Sequence, residues 1–131
     1  MKVLVCGARG WRDEATIRLR LARLAPGTLI IHGDNGNKER TVGADRIADR
    51  VAESLGLPRD PHPADWDRYG LGAGPIRNSE MLKLGPDLVL AFHPFLAKSK
   101  GTRDTVEKAE ALWIPVERIA PMSKRDKEPD I

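Results

Sequence analysis

The chain has 131 residues, 40% of them hydrophobic and 31% charged, with a formal net charge of +3. That length allows one domain with a core of its own and leaves no room for two. Lys and Arg are interleaved with Asp and Glu, which excludes a phosphate-tracking basic stripe and argues against nucleic acid as partner; the single cysteine excludes an internal disulfide, and no apolar run reaches membrane-spanning length.

Residues 2–6 are nearly all apolar, the pattern of a central parallel strand covered on both faces. Residues 13–24 carry Ala15, Ile17, Leu19, Leu21, Ala22 and Leu24 without a breaker and stop at Pro26-Gly27, which predicts a helix. Residues 28–31 form a short β-branched strand ending at His32-Gly33, and the polar, glycine-bearing stretch 34–41 reads as a loop. From 42 to 55, Ala44, Ile47, Ala48, Val51, Ala52 and Leu55 line one helical face, closed by Gly56. Residues 58–63 predict an edge strand, because their prolines cannot donate ladder hydrogen bonds.

Residues 64–74 read as a loop holding Trp66 and Tyr69, and 75–84 as a helix with Pro75 in its first turn and Gly85 as its stop. Leu88 to Phe92 is the most hydrophobic strand, 102–112 a helix, and 114–119 a last strand placed at an edge by Pro115. After Pro121 the composition turns charged, so 1–120 is the expected domain and 121–131 a charged, flexible tail. Strands alternating with helices predict an α/β fold: one Rossmann-like, three-layer domain, a parallel sheet of about five strands with helices on both faces.

In such sheets ligands sit beyond the carboxyl ends of the strands. Three segments fall on that edge. Gly7-Ala8-Arg9 follows the first strand and His32-Gly33 the second. Lys100-Gly101-Thr102 opens a helix after the fourth, where backbone N–H groups and the helix dipole suit a phosphate. Gly7 permits close backbone approach or a tight turn, Arg9 is a phosphate candidate, and Ser99 and Lys100 are further donors. Trp11 either stacks on a base or covers the sheet end in the core, and Trp66 shares that ambiguity. Trp113 is expected in the core or an interface. His32 is a general-acid candidate or a histidine satisfied by backbone; Gly43 and Asp45 open a helix where Asp45 either meets a ribose hydroxyl or complements the dipole. Cys6 reads as a small buried hydrophobe. The three histidines, His32, His62 and His93, lack ligand spacing, so neither metal nor cofactor is expected. With no leader pattern and one cysteine, the expected location is the cytoplasm.

Several segments arrive together in order: Gly7-Ala8-Arg9-Gly10-Trp11, His32-Gly33, Gly43-Ala44-Asp45, Pro63-Ala64-Asp65-Trp66, Ala73-Gly74-Pro75-Ile76-Arg77-Asn78 with Met81, Pro86 to Phe92, and Lys100-Gly101-Thr102. This series resembles the YspA-like branch of the SLOG superfamily, the Rossmann-like group that includes Smf/DprA and the Lonely Guy proteins. The resemblance implies a domain binding a nucleotide or nucleotide derivative, found in bacteria and their phages, often as a homo-oligomer. It implies ligand roles for Arg77 and Asn78 beside those residues. Lonely Guy proteins cleave the N-glycosidic bond of nucleoside 5′-monophosphates, and DprA relatives bind single-stranded DNA.

Two departures stand out. The interval from His32-Gly33 to Gly43-Ala44-Asp45 is long for the family, so the insertion near 34–40 is expected to reshape one wall. The Lonely Guy signature Pro-Gly-Gly-x-Gly-Thr-x-x-Glu keeps Gly101-Thr102 here, but its glutamate falls on Thr105. Asp104 and Glu107 are rotated roughly 100° and 200° from that position, so neither is expected to face the same way. A hydrolase would then need Arg77 with a carboxylate from elsewhere, such as Asp45 or Asp65, to face the charge that builds on the sugar. The first expectation is therefore a sensor or effector that binds its ligand without chemistry.

Overall fold

Five parallel strands form one sheet in the order β3-β2-β1-β4-β5: β1 Lys2–Gly7, β2 Leu29–His32, β3 Arg59–Pro61, β4 Leu88–Phe92 and β5 Val116–Ile119. The structure, a computed structural model, describes residues 1–122. The tail expected over 121–131 lies outside them from residue 123 onward. Pro121 is buried, and the Met122 N–H is donated to the Asp13 carboxylate over 2.8 Å.

The period-two alternation of β1 decides what covers each face. Val3 and Val5 point to one side, against Ile17 and Leu21 of α1 (Glu14–Leu21) and Ile47, Ala48 and Val51 of α2 (Ala44–Ser54). Leu4 and Cys6 point to the other, against Met81 and Leu82 of α4 (Ala73–Lys83) and Val106 and Ala109 of α5 (Gly101–Ala111). Both edges are the strands in or beside which proline stands, as its missing donor requires.

Local chemistry sets the helix starts. Asp13 caps α1 by accepting the Thr16 N–H, and its other oxygen takes the Thr16 hydroxyl at 2.5 Å. The stretch 64–74, expected as a loop, contains a short helix, α3 (Trp66–Tyr69), a 3₁₀ turn over Gly70–Gly72 and the first turn of α4. Asp65 makes α3 possible by accepting the Arg68 N–H at 3.1 Å. Among the described residues no helix is long and apolar enough to cross a membrane, and no group of three or more His, Cys, Asp and Glu could hold a metal ion.

Candidate functional site

The strand order turns back on itself at β1: the chain moves outward through β2 and β3, then returns to place β4 on β1's other side. Helices leave β1 and β4 on opposite faces, so a crevice opens past their carboxyl ends. There lies a cleft of about 810 Å³. Gly7 and Arg9 border it after β1, Gly33 after β2, Asp45 from α2, Arg77 and Asn78 from α4, and Lys100, Gly101 and Thr102 from the start of α5. These nine are the expected site residues that the fold brings together. Trp66 and Leu71, 46% and 97% exposed, stand at its rim.

The start of α5 is open. Lys100 has no side chain capping it, Ser99 Oγ accepts the Thr102 N–H at 3.1 Å, and a Cβ on Gly101 would meet nothing within 4 Å. With the Thr102 N–H taken by Ser99 and no cap from Lys100, the first turn still presents backbone donors and positive potential to an anion. Arg9 is exposed, with its guanidinium 6.0 Å from the Trp66 ring centroid.

Arg77 is buried and strapped to backbone. Nη1 donates to Gly33 O at 2.5 Å and His62 O at 3.2 Å, and Nε donates to Asn78 Oδ1 at 2.9 Å. The guanidinium therefore ties the ends of β2 and β3 to α4. Burial pushes its pKa down, and Asp45 opposes that while Arg9 adds to it. Asp45 is 4% exposed. Its Oδ2 accepts the Asn35 N–H at 3.2 Å, and its Oδ1 is buried with no hydrogen-bond partner among the described residues. Burial pushes the Asp45 pKa above the usual carboxylate range, against the pull of His32, Arg77 and the backbone N–H groups of Asn35 and Gly33.

Three expected site residues stand elsewhere. Trp11 is 2% exposed: its Nε1 donates to Asp13 O at 2.9 Å and its ring meets Phe92 edge-on at 5.6 Å, so it seals the core. His32 is fully buried between Asp49 Oδ1, at 2.8 Å from Nε2, and the Asp34 N–H, which Nδ1 accepts at 3.0 Å. Both ring nitrogens are consumed, which removes it from acid chemistry in the cleft. Gly43 donates its N–H to Trp11 O at 2.8 Å, and a Cβ there would lie 2.6 Å from Gly36 Cα, so this glycine docks α2 on the loop after β1.

Other expectations change as well. Asp104 does border the cleft beside Thr105, because the cleft runs along the α4–α5 seam and takes two adjacent positions of α5. Its Oδ2 accepts from Asn78 Nδ2 at 3.1 Å and pairs with Lys108 Nζ at 3.0 Å. Glu107 is exposed, and Asp65 is occupied in capping α3. From the 34–40 insertion only Asn35 borders the cleft; Asp34 and Arg40 are drawn to α2 by Arg46, Asp49 and Glu53. Trp113, expected in the core or an interface, is 94% exposed in this chain.

His93 borders the cleft and was missed. Its Nδ1 accepts the Phe95 N–H at 2.9 Å, which leaves Nε2 to carry the proton of the neutral ring, and burial lowers its pKa. It directly follows β4 as Ala8 follows β1, so the rule that placed Gly7 on the ligand edge could have found it.

Residues 1–69 match the family described as YspA, cpYpsA-related SLOG. The chain is also 38% identical over 124 residues to the Gene 61 protein of Mycobacterium phage D29, an alignment covering 88% of this chain and 93% of the phage protein. Arg77 and Gly101-Thr102 lie beyond the family match, on the stretch that the phage alignment spans at least in part. With a five-stranded parallel sheet and the family's motifs along it, the chain belongs to the YspA, cpYpsA-related SLOG family.

Proposed function

We propose that the cleft binds a nucleotide or nucleotide-derived ligand, and that the protein acts as a sensor or effector of it. The observation that carries this reading is the open start of α5 facing the crevice where the strand order reverses. Lys100, Gly101 and Thr102 would hold the phosphate, with Arg9 across the cleft. Trp66 at the rim offers an aromatic face to a base, and its pairing with Arg9 already orients that ring.

Mass spectrometry of small molecules released from the purified protein tests the reading first. Calorimetric titration then compares AMP with adenosine. AMP should bind at least about tenfold tighter, and Lys100→Ala should narrow the gap. Equal binding of the two would end the proposal.

A second reading, an N-glycosidic hydrolase acting on nucleoside 5′-monophosphates, is favoured by Asp104 in the cleft. Free base released from AMP, and lost in Asp104→Asn, would establish it. Arg77 has the weaker claim to a substrate phosphate, since backbone carbonyls occupy it. In the same proposal residues 1–120 form the binding domain, and the protein works in the cytoplasm as a homo-oligomer.

A further inference from the structure

Beside the start of α5 the cleft meets a second polar group, formed by Gly33, Arg77 and Asp45. A Cβ on Gly33 would lie 2.5 Å from Arg77 Nη1 and 3.1 Å from Asp45 Oδ2, so backbone, guanidinium and carboxyl meet with no space between them. Asp45 is 4% exposed and borders the cleft, and its Oδ1 has no partner among the described residues. A buried carboxyl oxygen left unsatisfied is costly, and a ligand group that reaches it recovers that cost.

The charges around Asp45 restrict what can reach it. An anion would meet the carboxyl itself. A cation would meet Arg77, with Arg9 close enough to act on that guanidinium. A neutral hydrogen-bond donor remains. Two parts of a nucleotide supply one, a sugar hydroxyl and a base amine. Among the exposed side chains of the lining, Trp66 and Leu71 are apolar, whereas Asp45 lies buried beside Gly33 and Arg77. A base suits the apolar rim side chains and a sugar hydroxyl suits the carboxyl.

We propose that Asp45 is a specificity-determining residue whose unpartnered Oδ1 takes a ribose hydroxyl, so that the site selects ribonucleotides over sugars lacking both the 2′- and 3′-hydroxyls. The assignment rests on the reading of the cleft as a nucleotide site. A hydroxyl both donates and accepts, so it pairs with the carboxyl in either protonation state. This matters because burial drives Asp45 toward its neutral form.

The test is a calorimetric titration of the full chain with four probes: AMP, 2′,3′-dideoxyadenosine 5′-monophosphate, ribose 5-phosphate and purine riboside 5′-monophosphate. The expected result is at least about tenfold weaker binding of the dideoxy compound, with ribose 5-phosphate retained and loss of the exocyclic amine tolerated. In Asp45→Ala the gap between AMP and the dideoxy compound should close. The wild-type series stands alone if that variant does not fold. Equal binding of AMP and the dideoxy compound overturns the assignment and leaves the phosphate-binding reading intact. Equal binding of those two with selection against purine riboside 5′-monophosphate overturns it in favour of a base amine. Failure of all four to bind removes both.

Discussion

A Cβ on Gly7 would stand 2.4 Å from the Phe92 carbonyl oxygen and 2.5 Å from the Ala44 Cβ, whereas one on Gly101 would meet nothing. Packing of α2 over the end of β1 thus accounts for Gly7 without a ligand. Gly101 has no such reason, and its backbone is in the ordinary helical range for which alanine is the better residue. Gly7→Ala should cost about 1–3 kcal/mol in urea unfolding. Gly101→Ala should leave stability unchanged or raise it by up to about 1 kcal/mol, while affinity for AMP falls severalfold. A Gly101→Ala protein that binds as well as wild type would count against the start of α5 as the anion site. Asp45 makes the opposite kind of prediction. Its folded pKa is raised, so the folded state holds a proton that the unfolded state has released, and stability falls as pH rises through that range. Asp45→Asn should therefore melt higher than wild type near neutral pH and lose part of that slope, as thermal unfolding between pH 4 and 8 would register.

The strap from α4 to the sheet works between elements. Arg77 joins the carbonyls that end β2 and precede α3, and Asn78 beside it reaches Asp104 on α5. Arg77→Ala should cost about 2–3 kcal/mol, because it removes hydrogen bonds from a charged donor to buried carbonyls. Arg77→Lys should recover little, since one ammonium cannot reproduce the fork. Urea midpoints of the two variants decide it. Such a role was hidden in the sequence, where Arg77 reads as a ligand arginine; only the fold reveals the two carbonyls waiting for it. The strands and α2 were legible because apolar periodicity reports burial directly, as at Ile47, Ala48 and Val51. The edge strands were legible through proline. The helix α3 was not, because four residues held by one Asp65 cap carry no period. His32 and Trp11 each left two roles open in the sequence, and the structure takes the buried one. Residues at a strand end sit on the ligand edge, but sequence does not tell which of them turn inward to close the core.

At the scale of the whole molecule, Asp49 gathers three separate segments: His32 at the end of β2, Arg40 in the 34–41 loop and Arg59 in β3. Burial alone would raise its pKa. The hydrogen bonds from His32 and Arg40 and the charge of Arg59 outweigh it and hold the group below its usual 3.8. A depressed carboxyl contributes stability at all pH values above its unfolded pKa and loses it as pH falls through the folded one. The melting temperature should therefore drop below about pH 4, and Asp49→Asn should melt lower at pH 7 and flatten that acid limb. The order of the sheet has a different consequence. Its middle strand is β1, and β1's partner β4 begins 85 positions later, where Val3 meets Leu88. A nascent chain leaving the ribosome must thus carry its middle strand unpaired on one side until β4 has emerged. Segments 1–69 made alone would expose the flank of β1 that β4 covers, so a fragment cut at that point should aggregate and not fold.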